Sequence, residues 1–200
     1  MMRLTRQCHR LERQKTKETT MRMRAGESVL LVVDVQQALL PAIHEGAAVV
    51  EHVRWLLGVA ARLQVPRLAT EQYPKGLGAT APAVRELLAP QELVEKECFS
   101  ALTEGRLLEA PGGERRQWIV CGTEAHVCVQ QTVLDLLAAG REVFVVDEAV
   151  GSRRPRDKEL ALERMRRHGA DIVSREMVAF EWMERACTDT FRSVLREFIR

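Results

Sequence analysis

Three residues of different type, each closing or following a short apolar run, could together perform nucleophilic chemistry. Asp34 closes SVLLVVD, Lys96 lies in VEKECFSAL, and Cys128 follows the glycine-led turn CGTEAHV. Each has an ordinary explanation when taken alone. A carboxylate at a strand end usually caps a helix or pairs with a cation, a lysine is usually solvated, and a cysteine most often serves as a small buried hydrophobe. Cys128 is the more informative of the three, because it begins a helical stretch, and a thiol at a helix N-terminus feels the positive end of the macrodipole. Brought together, the three supply a nucleophile, a general base and a cation that depresses the thiol pKa.

The surrounding elements decide whether they can meet. SVLLVVD is a β-branched run without polar alternation, as expected of a strand buried on both faces. Residues 47–63 place Val50, Val53, Leu56, Leu57, Ala60 and Leu63 at spacings of three and four, the stripe of a core-facing helix. Pro66 opens a second strand, VPRLAT; ELVEK, QWIVCG, REVFVVD and ADIVS read as four more. Helices are expected over residues 128–139, stopped by Gly140, and over residues 158–168, stopped by Gly169. Strands alternating with helices in this order predict a doubly wound, three-layer α/β/α fold with a six-stranded, mainly parallel sheet. Ligands of such sheets bind at the carboxyl ends of the strands, where Asp34, Lys96 and the 122–128 turn would converge.

Composition fits one globular domain: 200 residues, 46% hydrophobic and 29% charged, with no apolar run long enough to span a bilayer. The net charge of +2 is too small to imply nucleic-acid binding by itself, especially as the basic residues are unevenly placed. Residues 1–27 hold eight Lys or Arg against three Glu, a balance of +5, which leaves the remainder at −3. They read as a disordered basic arm before a domain over residues 28–200; a targeting peptide, or a true start at Met21 or Met23, are the other readings. Five irregularly spaced cysteines (Cys8, Cys98, Cys121, Cys128, Cys187) suit neither a disulfide framework nor a zinc site, and point to a reducing, cytoplasmic setting.

The segments LLVVDVQ, TEQYPKGLG, KECFSAL and CGTEAHVCVQQTVLDLLAAGREVFVVDEAVGSR closely resemble the isochorismatase-like cysteine hydrolases. Residues 29–184 carry the resemblance, and QYPKGLG and KECFSAL are most similar to the branch of isochorismatase domain-containing hydrolases. The resemblance implies a catalytic triad of Asp34, Lys96 and Cys128. It also implies a non-proline cis peptide between Thr123 and Glu124 that aims the backbone N–H groups of Glu124 and Cys128 as an oxyanion hole. The activity implied is hydrolysis of an amide-type C–N bond of a small molecule through a thioester, with no metal or organic cofactor and a homo-oligomeric assembly. Nicotinamidases of the superfamily bind a metal through an Asp-x-His pair and a further His after the second strand, where this chain reads TEQYPKGLG. Two other readings stay open: an ether hydrolase using Asp34 as acid, and a catalytically silent interaction protein on the same fold.

Further expectations concern the rim. Gln72, Tyr73, Phe99, Thr123 and His126 are candidates for substrate contact, each with a packing role as its alternative. Cys98 and Cys121 suit inert buried thiols, Cys8 and Cys187 have no functional case, and Asp147 reads as a structural cap. His44 and His52 read as surface or boundary residues near the first helix. The last helix, over residues 189–199, carries Phe191, Val194, Leu195 and Phe198 on one face, to dock on its own sheet or on a neighbour.

Overall fold

The computed structural model describes residues 22–199. Its strands are β1 (Ser28–Val33), β2 (Arg67–Gln72), β3 (Leu93–Lys96), β4 (Gln117–Thr123), β5 (Glu142–Gly151) and β6 (Asp171–Val173). They form one sheet in the order β3-β2-β1-β4-β5-β6, and every neighbouring pair is parallel. The chain winds outward from β1 in one direction, then returns to add β4 on the other side. This reversal puts the topological switch between β1 and β4, with a crevice beyond their carboxyl ends.

The helices are α1 (Gly46–Arg62), α2 (Pro74–Leu77), α3 (Pro82–Arg85), α4 (Arg106–Glu109), α5 (Gln130–Ala138), α6 (Pro155–Arg167), α7 (Arg175–Met183) and α8 (Asp189–Val194). Both faces of β1 are covered because its side chains alternate: Leu30 and Val32 join the core beneath α1 and α7, while Leu31 and Val33 join the one beneath α5 and α6. All six β1 residues are buried, which accounts for the unbroken apolar run.

Several boundaries differ from the sequence reading. β5 continues past Asp147 to Gly151, with its register against β4 shifting between Val120 and Gly122. Asp147 is therefore an exposed strand residue, paired with Lys158 at 3.2 Å, rather than a terminal cap. Helix α7 has little signature in the sequence; its REMVAFEWM segment is short, and its buried residues Val178, Ala179 and Trp182 make a stripe of barely two turns. The C-terminal stripe docks on the chain's own α1, where Trp55 meets the Phe198 ring edge-to-face at 6.2 Å and donates its indole N–H to the Phe198 carbonyl at 2.6 Å.

The domain also begins earlier than residue 28. Met23 is fully buried in the core under α7, its N–H donates to Glu181 at 2.6 Å, and the Arg24 N–H donates to Gln117 at 2.7 Å. One apolar residue between Arg22 and Arg24 carries no periodicity, so in sequence it is indistinguishable from the arm. The disorder expected for residues 1–21 lies outside the described residues. Replacing Met23 with Ala is expected to cost about 2–5 kcal/mol, the usual range for a buried Met truncation, in a denaturant melt. A loss within about 0.5 kcal/mol, typical of surface substitutions, would return Met23 to the arm.

Candidate active site

Asp34 is delivered by the end of β1. It takes φ 49, a left-handed turn that lifts it off the sheet, and it is completely buried. Its polar atoms are all engaged: Thr70 donates its hydroxyl to Oδ1 at 2.6 Å, Lys96 Nζ donates to Oδ2 at 2.7 Å, and the Thr123 hydroxyl donates to the main-chain carbonyl at 2.5 Å. The Asp34 N–H reaches the Thr70 carbonyl at 3.2 Å.

Lys96 ends β3 with 3% of its surface exposed. Besides Asp34, its Nζ faces Gln72 Oε1 at 2.6 Å and the carbonyls of Cys98 and Phe99 at 3.3 and 3.2 Å. All four partners are acceptors, which an ammonium with three hydrogens suits and a neutral amine does not. Its protons are committed to the protein, so its influence on a reacting group is electrostatic.

Cys128 comes from β4. Gly122, at φ 124, lies so close to β1 that a Cβ there would overlap the Val33 backbone, which makes glycine obligatory at this approach. The strand then ends, Glu124 reverses the chain at φ 54 and ψ 61, and Cys128 sits in the π-helical turn Ala125–Val129 that leads into α5. The thiol is buried and faces Asp34. Burial, then the Asp34 charge, push its pKa up to about 12, with the Lys96 ammonium opposing. Cys128 is therefore at rest a thiol, not the thiolate that a helix N-terminus would favour; desolvation and the adjacent carboxylate outweigh lysine and dipole. A carboxylate, an ammonium and a thiol thus converge from three strand ends at the switch point.

Residues 28–177 match the family model of the isochorismatase domain. The chain belongs to the isochorismatase family. It is 37% identical to isochorismatase domain-containing protein 2 of Danio rerio, over 86% of this chain and 87% of that one. It is 36% identical to the secreted isochorismatase effector Isc1 of Phytophthora sojae, over 84% and 82%. Among solved structures, the MAR1 ribonuclease of Caenorhabditis elegans superposes with a TM-score of 0.79 at 34% identity, covering 88% of this chain and 91% of that one. YcaC of Pseudomonas aeruginosa has a TM-score of 0.83 at 23% identity, with 90% and 93% covered, and shares the fold.

Within this isochorismatase fold, the approach to Cys128 departs from expectation. Among the described residues there is no cis peptide, and the Thr123–Glu124 bond is trans. The left-handed Glu124 accomplishes the reversal instead. Its carboxylate is largely buried, with Oε1 3.2 Å from Arg153 Nε and Oε2 3.5 Å from His126 Nδ1.

The expected rim residues divide. Tyr73 is half exposed at the mouth of a cleft of about 360 Å³ that also includes Lys75, Lys96, Glu97 and Arg106. Phe99 is likewise half exposed, and it is the main-chain carbonyl that touches Lys96. The side chains of Thr123 and Gln72 are already engaged, the first with Asp34 and the second with Lys96 and the Glu97 carbonyl at 2.6 Å, so both support the site instead of lining it. His126 bonds Ser152 at 3.0 Å and lines a cleft against α6 with Gln130 and Asp157.

Cys121 is fully buried, and burial holds its thiol well above the usual range; Cys98 is only half-buried. His52 accepts from Arg175 at 3.0 Å, and burial, followed by that guanidinium, lowers its pKa; with His44 it lines a separate cleft of about 500 Å³ at the end of β5. Among the described residues no three His, Cys, Asp or Glu side chains come together as a set able to hold a metal. Thr70 and Gln36, both buried at the site, escape a reading of the sequence; their only signal there is a polar side chain at the end of an apolar run.

Because the Asp34 charge raises the thiol pKa, Asp34→Asn is expected to lower it while removing the base. Iodoacetamide should then alkylate Cys128 faster near neutral pH, by roughly tenfold for each pH unit that the thiol titration moves down. Peptide mass spectrometry across a pH series measures this, and an unchanged profile would mean that Asp34 and the thiol do not interact.

Proposed function

We propose that this protein hydrolyses an amide-type C–N bond of a small molecule through a thioester on Cys128. The observation that carries the reading is the convergence of the buried Asp34–Lys96 pair on the Cys128 thiol. Asp34 takes the thiol proton as sulfur attacks the carbonyl carbon, and Lys96 stabilises the negative charge that crosses the site. The carbonyl oxygen becomes an oxyanion, and the donors proposed for it are the backbone N–H groups of Glu124 and Cys128, with the left-handed turn at Glu124 standing where the cis bond was expected. When the C–N bond breaks, protonated Asp34 gives its proton to the leaving amine. Asp34 then deprotonates a water that attacks the thioester, and the acid departs as sulfur regains its proton.

A thiol with a raised pKa fits this scheme, since it needs a base in contact with it. Ether hydrolysis with Asp34 as acid would leave Cys128 without a task. Nucleic acid is not the substrate we propose: the mouth beside Lys96 sets Glu95, Glu97 and Glu104 against Lys75 and Arg106, unlike the basic stripe that tracks a phosphate backbone. Among the described residues no helix is long and apolar enough to cross a membrane. A homo-oligomer belongs to the same proposal and rests on the family resemblance, since the exposed apolar side chains Tyr73, Phe99, Leu160, Met177 and Phe180 are spread over several elements.

Ammonia release from a panel of primary amides, carbamoyl compounds and ureido acids identifies a substrate. On it, Cys128→Ala is expected to lower turnover by about 10³-fold or more, as loss of a covalent nucleophile does elsewhere. Retention of full activity would eliminate the thioester route. Light scattering is expected to give a mass above that of a single chain, and a monomer at all concentrations would refute the oligomer.

A further inference from the structure

The exit of β1 solves one problem and creates another. By turning off the sheet after Val33, the chain brings Asp34 into the site, while β2 continues for two more residues beyond Thr70, the last residue to pair with β1. On its other side β2 still pairs with β3, Gln72 lying opposite Lys96. On the side that β1 has left, the Gln72 backbone would have no ladder partner, at a position only 8% exposed. An unpaired buried N–H or C=O is costly, so such groups normally find a partner.

The partner is the side chain of Gln36. Its Oε1 accepts the Gln72 N–H at 2.8 Å, and its Nε2 donates to the Gln72 carbonyl at 3.0 Å and to the Gly78 carbonyl at 2.6 Å. The carboxamide stands in for the missing strand residue and is itself completely buried. With its backbone fixed, Gln72 presents its own carboxamide in one orientation, Nε2 to the Glu97 carbonyl and Oε1 to Lys96 Nζ. The donors and acceptors around both amides permit only this assignment of oxygen and nitrogen.

We propose that Gln36 is a positioning residue that acts through Gln72 to hold the Lys96 ammonium against Asp34. The proposal rests on the reading of Lys96 as the electrostatic member of the site, and it adds a device in which one segment supplies both the acid, Asp34, and the restraint on its counter-ion. The Gln36 side chain has no hydrogen bond to the thiol or to Asp34's carboxylate, so its route to the ion pair runs through Gln72 and the lysine.

The ammonium itself can be observed. The chain has five lysines, so ¹⁵N-lysine labelling gives few side-chain resonances, and that of Lys96 is assigned by its disappearance in Lys96→Met. In the intact protein the Lys96 resonance should be protected from solvent exchange. In Gln36→Met it should shift or broaden. With a substrate from the ammonia-release panel, kcat should fall by about tenfold, the effect expected when one charge-assisted hydrogen bond is displaced, with KM little changed.

Gln72→Met keeps the Gln36 bonds to the Gln72 backbone and removes the carboxamide, both the Oε1 that faces Lys96 and the Nε2 that donates to the Glu97 carbonyl, so it should reproduce both effects even if Gln36→Met folds poorly. Adding Gln36→Met to Lys96→Met should lower kcat no further, as expected of residues acting through one another. If Gln36→Met and Gln72→Met lower the melting temperature but leave the resonance and kcat as in the parent, the clamp is only structural and the proposal fails. A resonance that responds in a protein that hydrolyses no amide would uphold the clamp and discard the hydrolase reading.

Discussion

The buried ion pair between Lys96 and Asp34 is the constraint around which the rest is arranged. Two full charges lie 2.7 Å apart with side-chain exposures of 2% and 0%. Removing either partner would leave the other uncompensated, at a typical cost of about 3–5 kcal/mol. Such a pair is tolerable only when every remaining lone pair and proton is satisfied, and Thr70, Gln72 and the carbonyls of Cys98 and Phe99 do this. The sheet therefore ends in a polar cage before it ends in solvent. The Cys128 thiol takes its properties from that cage, because burial and the adjacent Asp34 charge hold it protonated against the pull of Lys96.

The switch in strand order explains why the cage forms where it does. β1 and β4 part beyond their carboxyl ends, leaving room for groups from both, and β3 reaches the same rim through β2. A glycine at position 122 allows the two central backbones to approach closely just before they diverge. The chemistry is thus assembled from residues that are distant in sequence, but each lies within a few positions of a strand end.

Much of this is legible in the sequence because its strands are buried on both faces and its longer helices are amphipathic. SVLLVVD could hardly be anything but a central parallel strand, and the stripe from Val50 to Leu63 could hardly fail to cover it. Asp34, Lys96 and Cys128 stand out only in combination, because each alone has an ordinary explanation, and it is the resemblance to a known family that sets them apart from other polar residues near strand ends. What stays hidden depends on three-dimensional neighbours. Gln72 and Thr123 read as rim residues because a polar side chain after a strand points to solvent as readily as to another buried group. Met23 lies within a basic stretch, where a single apolar residue carries no periodicity. The trans turn at Glu124 cannot be seen either, since a left-handed residue and a cis bond can reverse a chain over the same length. The elevated thiol pKa depends on burial, which residue types alone do not fix.

The C-terminal segment, finally, ties two distant positions together. Phe198 lies across α1 at Gly58, where an added Cβ would come within 2.6 Å of the ring. A larger residue at position 58 would make the Phe198 ring shift, so these sites, 140 positions apart, share one packing contact.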